Sequence, residues 1–191
     1  LCRAGVVLLC SHIEGYVEDL VEVILERIFS KKIRKSALGS QFLFHFSKDI
    51  LREIKDTNDP ASIATKVLLI FQRDMDVWGA GLAFQSALAY DRFVADFHSP
   101  SFDKIVRMMG RFGYANFRRD MAQNLQANFV LCTNMVNNVI DQRNKIAHGD
   151  LIVTATPQDL ANMMQLVQLF CRSMDGVVAT WFSNLRCPIR P

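Results

Sequence analysis

No C-x-x-C pair occurs in these 191 residues. The five cysteines, at positions 2, 10, 132, 171 and 187, are odd in number and widely spaced. That pattern excludes a dense disulfide framework and a cysteine zinc site. Reduced, partly buried thiols of a cytoplasmic protein are the expectation. His12, His45, His98 and His148 are also scattered, with no pair at i, i+4, so neither a metal site nor a cofactor is expected. No apolar run approaches the ~18 residues of a membrane span. The longest near the N-terminus, residues 6–10, runs straight into Ser11, His12 and Glu14 and is no signal-peptide core. No membrane partner is expected. The chain opens on Leu1 rather than Met, which leaves its true start open. An excess of one charge is lacking too: 22 Lys+Arg against 19 Asp+Glu give a net charge of +3. So weak a bias decides nothing about nucleic acid, because a local patch can do what net charge does not show. Disorder needs low hydrophobicity and high charge, and a chain that is 50% hydrophobic excludes it. One domain over 1–191 is expected, long enough to bury roughly 70% of its unfolded surface.

What the sequence has is helical period. Leu9, Ile13, Tyr16, Val17, Leu20, Ile24 and Ile28 recur at three- and four-residue steps, so the first 30 residues read as one helix. Glu14, Glu18, Glu22 and Glu26 fall on another face. A basic run, Lys31-Lys32-Ile33-Arg34-Lys35, follows. Ser36 is a candidate N-cap for a second helix over 38–55, with Phe42, Phe46, Ile50, Leu51 and Ile54 as its stripe. Asn58-Asp59-Pro60 sets a cap and a first-turn proline before a third helix over 60–72. Residues 74–98 show no clean period and read as a loop with a short helix. Ser99-Pro100 restarts the pattern, and Phe102, Ile105, Val106 and Met109 carry a short helix ending near Gly113. A long helix is expected over 118–148, on Leu125, Phe129, Cys132, Val136, Val139 and Ile146. Thr156-Pro157-Gln158-Asp159 gives a cap, a proline and an acidic first turn. The last helix then runs through Met163, Val167 and Phe170 to about Leu185. Alternating strand patterns and internal repeats are absent. The expected class is all-α, a bundle of long helices with short connections.

One segment carries chemistry: Arg143-Asn144-Lys145-Ile146-Ala147-His148-Gly149-Asp150. Cations in a last helical turn followed by glycine also describe an ordinary helix end, with the dipole complemented and a left-handed cap. RNA cleavage asks for more. Attack of a ribose 2′-hydroxyl on the adjacent phosphate needs a proton acceptor, a proton donor and a cation for the developing charge. Histidine titrates in the right range, and arginine offers a planar fork that stays charged. Asn144 precedes His148 by four residues, so the two share a helix face and can hydrogen-bond. Arg143 lies well round the helix from His148. One Arg and one His are few for acid–base chemistry, and a two-fold dimer would supply two of each.

Arg-Asn-x-x-x-His near the end of a long helix in an all-α domain resembles the HEPN superfamily, whose hallmark is an Arg followed by a His after four to six residues. The run Leu9-Cys10-Ser11-His12-Ile13-Glu14-Gly15-Tyr16 resembles the opening helix of the RiboL-PSP-HEPN and related prokaryotic groups. Residues 99–113, ending in Arg111-Phe112-Gly113, are similar to them as well. The resemblance implies a HEPN-like helical bundle with long antiparallel helices. It implies a metal-independent endoribonuclease whose composite site forms where two bundles meet, hence a homodimer acting on RNA. Family members serve as toxins paired with antitoxins, in phage defence, or in RNA processing, so an antitoxin or operon partner protein is a further expectation. Carried onto this chain, Arg143 would hold the scissile phosphate, His148 would do the acid–base work, and Asn144 would orient them. Glu14 would line the site, unless it is only an exposed helix carboxylate. Some HEPN toxins have tyrosine two residues after the histidine, modified by a partner nucleotidyltransferase. Asp150 stands there, so that silencing route is not expected, and its charge would sit beside the site. Some HEPN domains do not catalyse, and the alternative is an inactive RNA- or protein-binding module.

Two basic groups are candidate RNA contacts. Lys31, Lys32, Arg34 and Lys35 could steer phosphates or only complement a helix end. Arg107, Arg111, Arg118 and Arg119 lie near Phe112, Tyr114 and Phe117, aromatics that could stack on unpaired bases or pack in the core. His12, His45 and His98 have no partner close in sequence and read as structural.

Overall fold

The computed structural model describes residues 1–150 and 154–186. Among these there are helices and no strands, so the chain is all-α. In order, the α-helices are α1 (Cys2–Ser30), α2 (Ser40–Lys55), α3 (Pro60–Arg73), α4 (Met75–Trp78), α5 (Tyr90–Val94), α6 (Phe102–Arg111), α7 (Phe117–Leu125), α8 (Phe129–Ala147) and α9 (Pro157–Arg186). Short 3-10 turns cover Lys35–Ala37 and Gln126–Asn128. Two compact units form: one from Leu1–Leu20, Phe97–Met109 and the chain from Tyr114 on, the other from Val21–Asp96 and Gly110–Gly113.

Helix starts follow the local chemistry. Asp59 accepts the Ser62 N–H at 2.8 Å, with Pro60 in the first turn of α3. Thr156 and Asp159 form a reciprocal capping box at α9: the Asp159 N–H reaches Thr156 Oγ1 at 3.1 Å, and the Thr156 N–H reaches Asp159 Oδ2 at 2.9 Å. Two expectations need correction. Ser36 does not cap α2; it sits in the 3-10 turn, and Gly39 occupies the N-cap position. The single helix over 118–148 is two helices. Gln126 takes φ +50° and ψ −123°, which an α-helix does not accommodate, and the α-helical chain restarts at Phe129.

In the first unit, α9 packs along α7 and α8. Phe102 of α6 meets Phe129 and Phe170 edge-on, with centroids 5.6 and 5.9 Å apart. Tyr114 stacks on Trp181 at 4.9 Å and donates its hydroxyl to Asp120 at 2.9 Å. From α1, Val6, Cys10, Ile13 and Val17 are buried.

The second unit has an aromatic core. Phe42, Phe46, Phe84, Phe93 and Phe112 pack together, closest between Phe93 and Phe112 at 4.5 Å. The buried carboxylate of Asp74 ties this unit together. Ser47 Oγ donates to it at 2.6 Å, Arg92 grips it at 2.8 and 2.9 Å, and Arg73 adds two bonds at 3.1 Å. Burial pushes the Asp74 carboxyl up, but these donors prevail and hold it below its ordinary value. Asp76 accepts the Gln85 and Ser86 N–H groups at 2.8 Å, which closes the loop that follows α4. Residues 74–98 therefore hold two short helices around a pinned loop. Gly113, at φ +84°, has no room for a side chain: a Cβ there would lie 2.8 Å from the Gly39 nitrogen.

Candidate functional site

The segment from Arg143 to Asp150 ends α8 in a complete cap. The His148 N–H bonds Asn144 O at 3.0 Å, Gly149 N–H bonds Ile146 O at 3.1 Å, and Asp150 N–H bonds Lys145 O at 3.0 Å. Gly149 supplies the left-handed turn at φ +80°. This is the Schellman arrangement. Its donors and acceptors are all backbone groups. The helix-end description is thus correct for the backbone, and none of these three hydrogen bonds uses the side chains of Arg143, Asn144 or His148.

Those side chains face different surroundings. His148 is exposed at the end of the helix. Arg143 is half-buried and donates to Asn144 Oδ1 at 3.0 Å. The Asn144 carboxamide oxygen is therefore engaged by Arg143, and the bond between residues 144 and 148 is a backbone one. The guanidinium also acts on Cys10 of α1. Burial pushes that thiol up, Arg143 pulls it down, and Glu14 pushes it up again. Glu14 in turn lies 3.9 Å from His98 Nδ1, an ion-pair distance. One turn further along α1, the Glu18 carboxyl is pushed up, first by burial and then by the charge of Glu14, while His98 pulls it down. Asp150 is half-buried directly after the capping glycine.

The sequence carries no sign that His98 pairs with Glu14. Its partner Glu14 is on another helix, and no local spacing announces the pair.

The basic residues are largely engaged inside the protein. Lys32 donates to Phe84 O at 3.3 Å and lies 4.5 Å over the Phe29 ring. Lys35 donates to Asp76 O and to Gly79 O, the latter at 3.2 Å. Arg111 pairs with Asp96 at 2.9 Å and bonds Phe93 O at 2.6 Å. Arg118 pairs with Asp103 and covers the Phe102 ring, and Arg119 bonds Asp120 at 3.1 Å. Lys31, Arg34 and Arg107 are exposed. Phe112, Tyr114 and Phe117 are all buried, which makes them core rather than a platform for bases. His45 packs on Phe93; burial, then the charges of Arg111 and Lys48, push it down to about 4.

Between α1 and α9 of the first unit lies an open, mainly apolar groove of about 550 Å³, lined by Leu9, His12, Ile13, Tyr16, Met164 and Cys171 among others. Tyr16 closes one side by donating to Cys171 O at 2.9 Å and Asp175 Oδ1 at 2.7 Å. Among the described residues, no group of three His, Cys, Asp or Glu could hold a metal ion. Nor is any described helix long and apolar enough to cross a membrane. Compared with known families, residues 1–180 match the family model described as RiboL-PSP-HEPN. No curated protein and no solved structure matches the chain.

Proposed function

The chain belongs to the RiboL-PSP-HEPN family, and from that premise we propose that it is a metal-independent endoribonuclease. HEPN domains are ribonuclease-type or RNA-binding modules, and the catalytic choice rests on one observation. The cap hydrogen bonds at the end of α8 join backbone groups, so they do not occupy the side chains of Arg143 and His148. Arg143 holds the scissile phosphate through its planar fork, steadied by Asn144. His148 moves protons. A second copy of the chain completes the site, since each chain brings one such Arg and one such His. The family match crosses both compact units, which supports taking 1–191 as one HEPN-like domain. A toxin or phage-defence effector working in the cytoplasm beside an antitoxin or operon partner is the role we propose, on family grounds alone.

The test is direct. Purified protein is incubated with total tRNA and mRNA in EDTA. Fragments should appear and carry 2′,3′-cyclic phosphates, because the 2′-oxygen is the nucleophile and no metal takes part. Activity that vanishes in EDTA and returns with Mg²⁺ would overturn the mechanism. Retained RNA binding without cleavage would favour the inactive binding module.

A further inference from the structure

A histidine takes a second proton readily only where the added charge is solvated or paired. His12, His98 and His148 are exposed and belong to the first unit. His45, on α2 of the second unit, is placed differently. Its ring is half-buried and set edge-on to Phe44 and Phe93, with centroids 5.5 and 6.0 Å away. Its Nδ1 is buried and has no hydrogen-bond partner. The charges facing it mostly repel an imidazolium. Lys48 and Arg52 come from α2 itself, Arg111 from the end of α6, and the one carboxylate, Asp96, follows α5. That carboxylate is already shared. Lys48, 3% exposed, lies 3.0 Å from it, and Arg111, 13% exposed, lies 2.9 Å from it.

We propose that His45 is a proton-operated latch on the second unit: neutral, it lets that unit stay closed; protonated, it opens that unit while the first stays folded. Charging the ring sets a third cation beside Lys48 and Arg111, with no further carboxylate to receive it. A proton on Nδ1 would also be a buried donor without an acceptor. Water relieves both, and it reaches the ring only if Phe93 parts from α2. Phe93 packs on Phe42, Phe46 and Phe112, so that parting breaks the aromatic core rather than one contact. The buried ion pairs of the unit titrate elsewhere. Burial pushes Asp74, Asp76 and Asp96 up, but their donors prevail and hold all three below the ordinary value, Asp96 at about 2. His45 is pushed down from 6.5 to about 4, by burial first and then by Arg111 and Lys48. A base lowered on folding leaves stability untouched above its unfolded value. The folded state is then penalised progressively as pH falls from 6.5 to about 4. At pH 5.0 the opening equilibrium should stand roughly 30-fold above its value at pH 7.5.

Each unit carries its own reporter, Trp78 in the second and Trp181 in the first. Protein labelled with fluorotryptophan is titrated with urea at pH 7.5 and at pH 5.0, and fluorine NMR follows the two residues separately. The opening equilibrium read at Trp78 should rise roughly 30-fold at the lower pH, and that read at Trp181 less than about 3-fold. His45→Phe keeps a ring against Phe93 without a titrating nitrogen, and His45→Gln keeps a polar side chain that never charges. In either variant the rise at Trp78 should shrink below about 3-fold. The imidazole signal of the wild-type chain gives a reading that needs no variant: in the closed protein its midpoint should lie well below 6.5. A midpoint at the ordinary value would overturn the latch. So would a rise at Trp78 that survives both substitutions, or no rise in wild type. Equal rises at both tryptophans would overturn it as well, since the chain would then open as a whole.

Discussion

His148 separates a helix end from a catalyst, because the two make opposite demands on the same side chain. The cap uses the His148 N–H, which alanine also has. A cation at a helix C-terminus contributes only ~0.3–1 kcal/mol, so His148→Ala should barely move the melting temperature. If the imidazole moves protons, the same variant loses more than ~10² in RNA cleavage. Arg143→Lys should be severely impaired as well, because a point charge cannot replace a planar fork on phosphate oxygens. Measuring cleavage and unfolding side by side decides the matter; wild-type cutting by His148→Ala would leave the motif as a cap. The residues of this segment were legible because a helix places them by spacing alone. The pairing of Glu14 with His98 was not, nor was the grip of Arg92 on Asp74 across from Ser47. Those partners meet only once the chain has folded, and no local pattern encodes them.

Helix starts were readable for the same local reason. Asp59-Pro60 and the box from Thr156 to Asp159 satisfy orphan N–H groups within one turn of chain. The break between α7 and α8 was hidden, because the apolar stripe runs on through Leu125, Phe129 and Cys132 as if nothing intervened. Period reports which face is buried, not whether the backbone turns. Residues 74–98 resisted for another reason: α4 and α5 have 4 and 5 residues, too few to show a period. Their loop is fixed by the Asp76 carboxylate instead. The hidden break also makes a prediction. Gln126 is exposed and held at φ +50°, where a side chain costs ~1–3 kcal/mol. Glycine removes that strain and returns ~0.5–1 kcal/mol to unfolded-chain entropy. Gln126→Gly should therefore stabilise the protein by about 1 kcal/mol. A higher urea midpoint at unchanged slope would show it, and a lower midpoint would mean the turn needs glutamine for some other contact.

At the scale of the whole molecule, the proposed site is incomplete in one chain, so activity and assembly must fall together. The surface on which a second copy would pair is open to a choice that can be tested. On α8, Val130 is 63% exposed and Leu131 52%; on α9, Met164 is 55% exposed. These apolar side chains lie on the two helices through which we expect the dimer to form. In the other unit, α3 offers a competing apolar face in Leu68, 61% exposed, and Phe71, 56% exposed. Exposed apolar side chains mark a contact surface where they join into one patch. Of these helices, α8 carries Arg143 and ends at His148, and α9 packs along α8. Sedimentation at micromolar concentration should show a dimer, with a specific cleavage rate that falls on dilution by mass action. Leu131→Glu combined with Met164→Glu should yield monomers and abolish cleavage, while leaving the melting curve of the chain cooperative. Leu68→Glu should leave both the dimer and its activity intact. If the α3 substitution dissociates the protein and the α8–α9 pair does not, the interface lies elsewhere. A monomer that cleaves at full rate would mean that one chain holds a complete site.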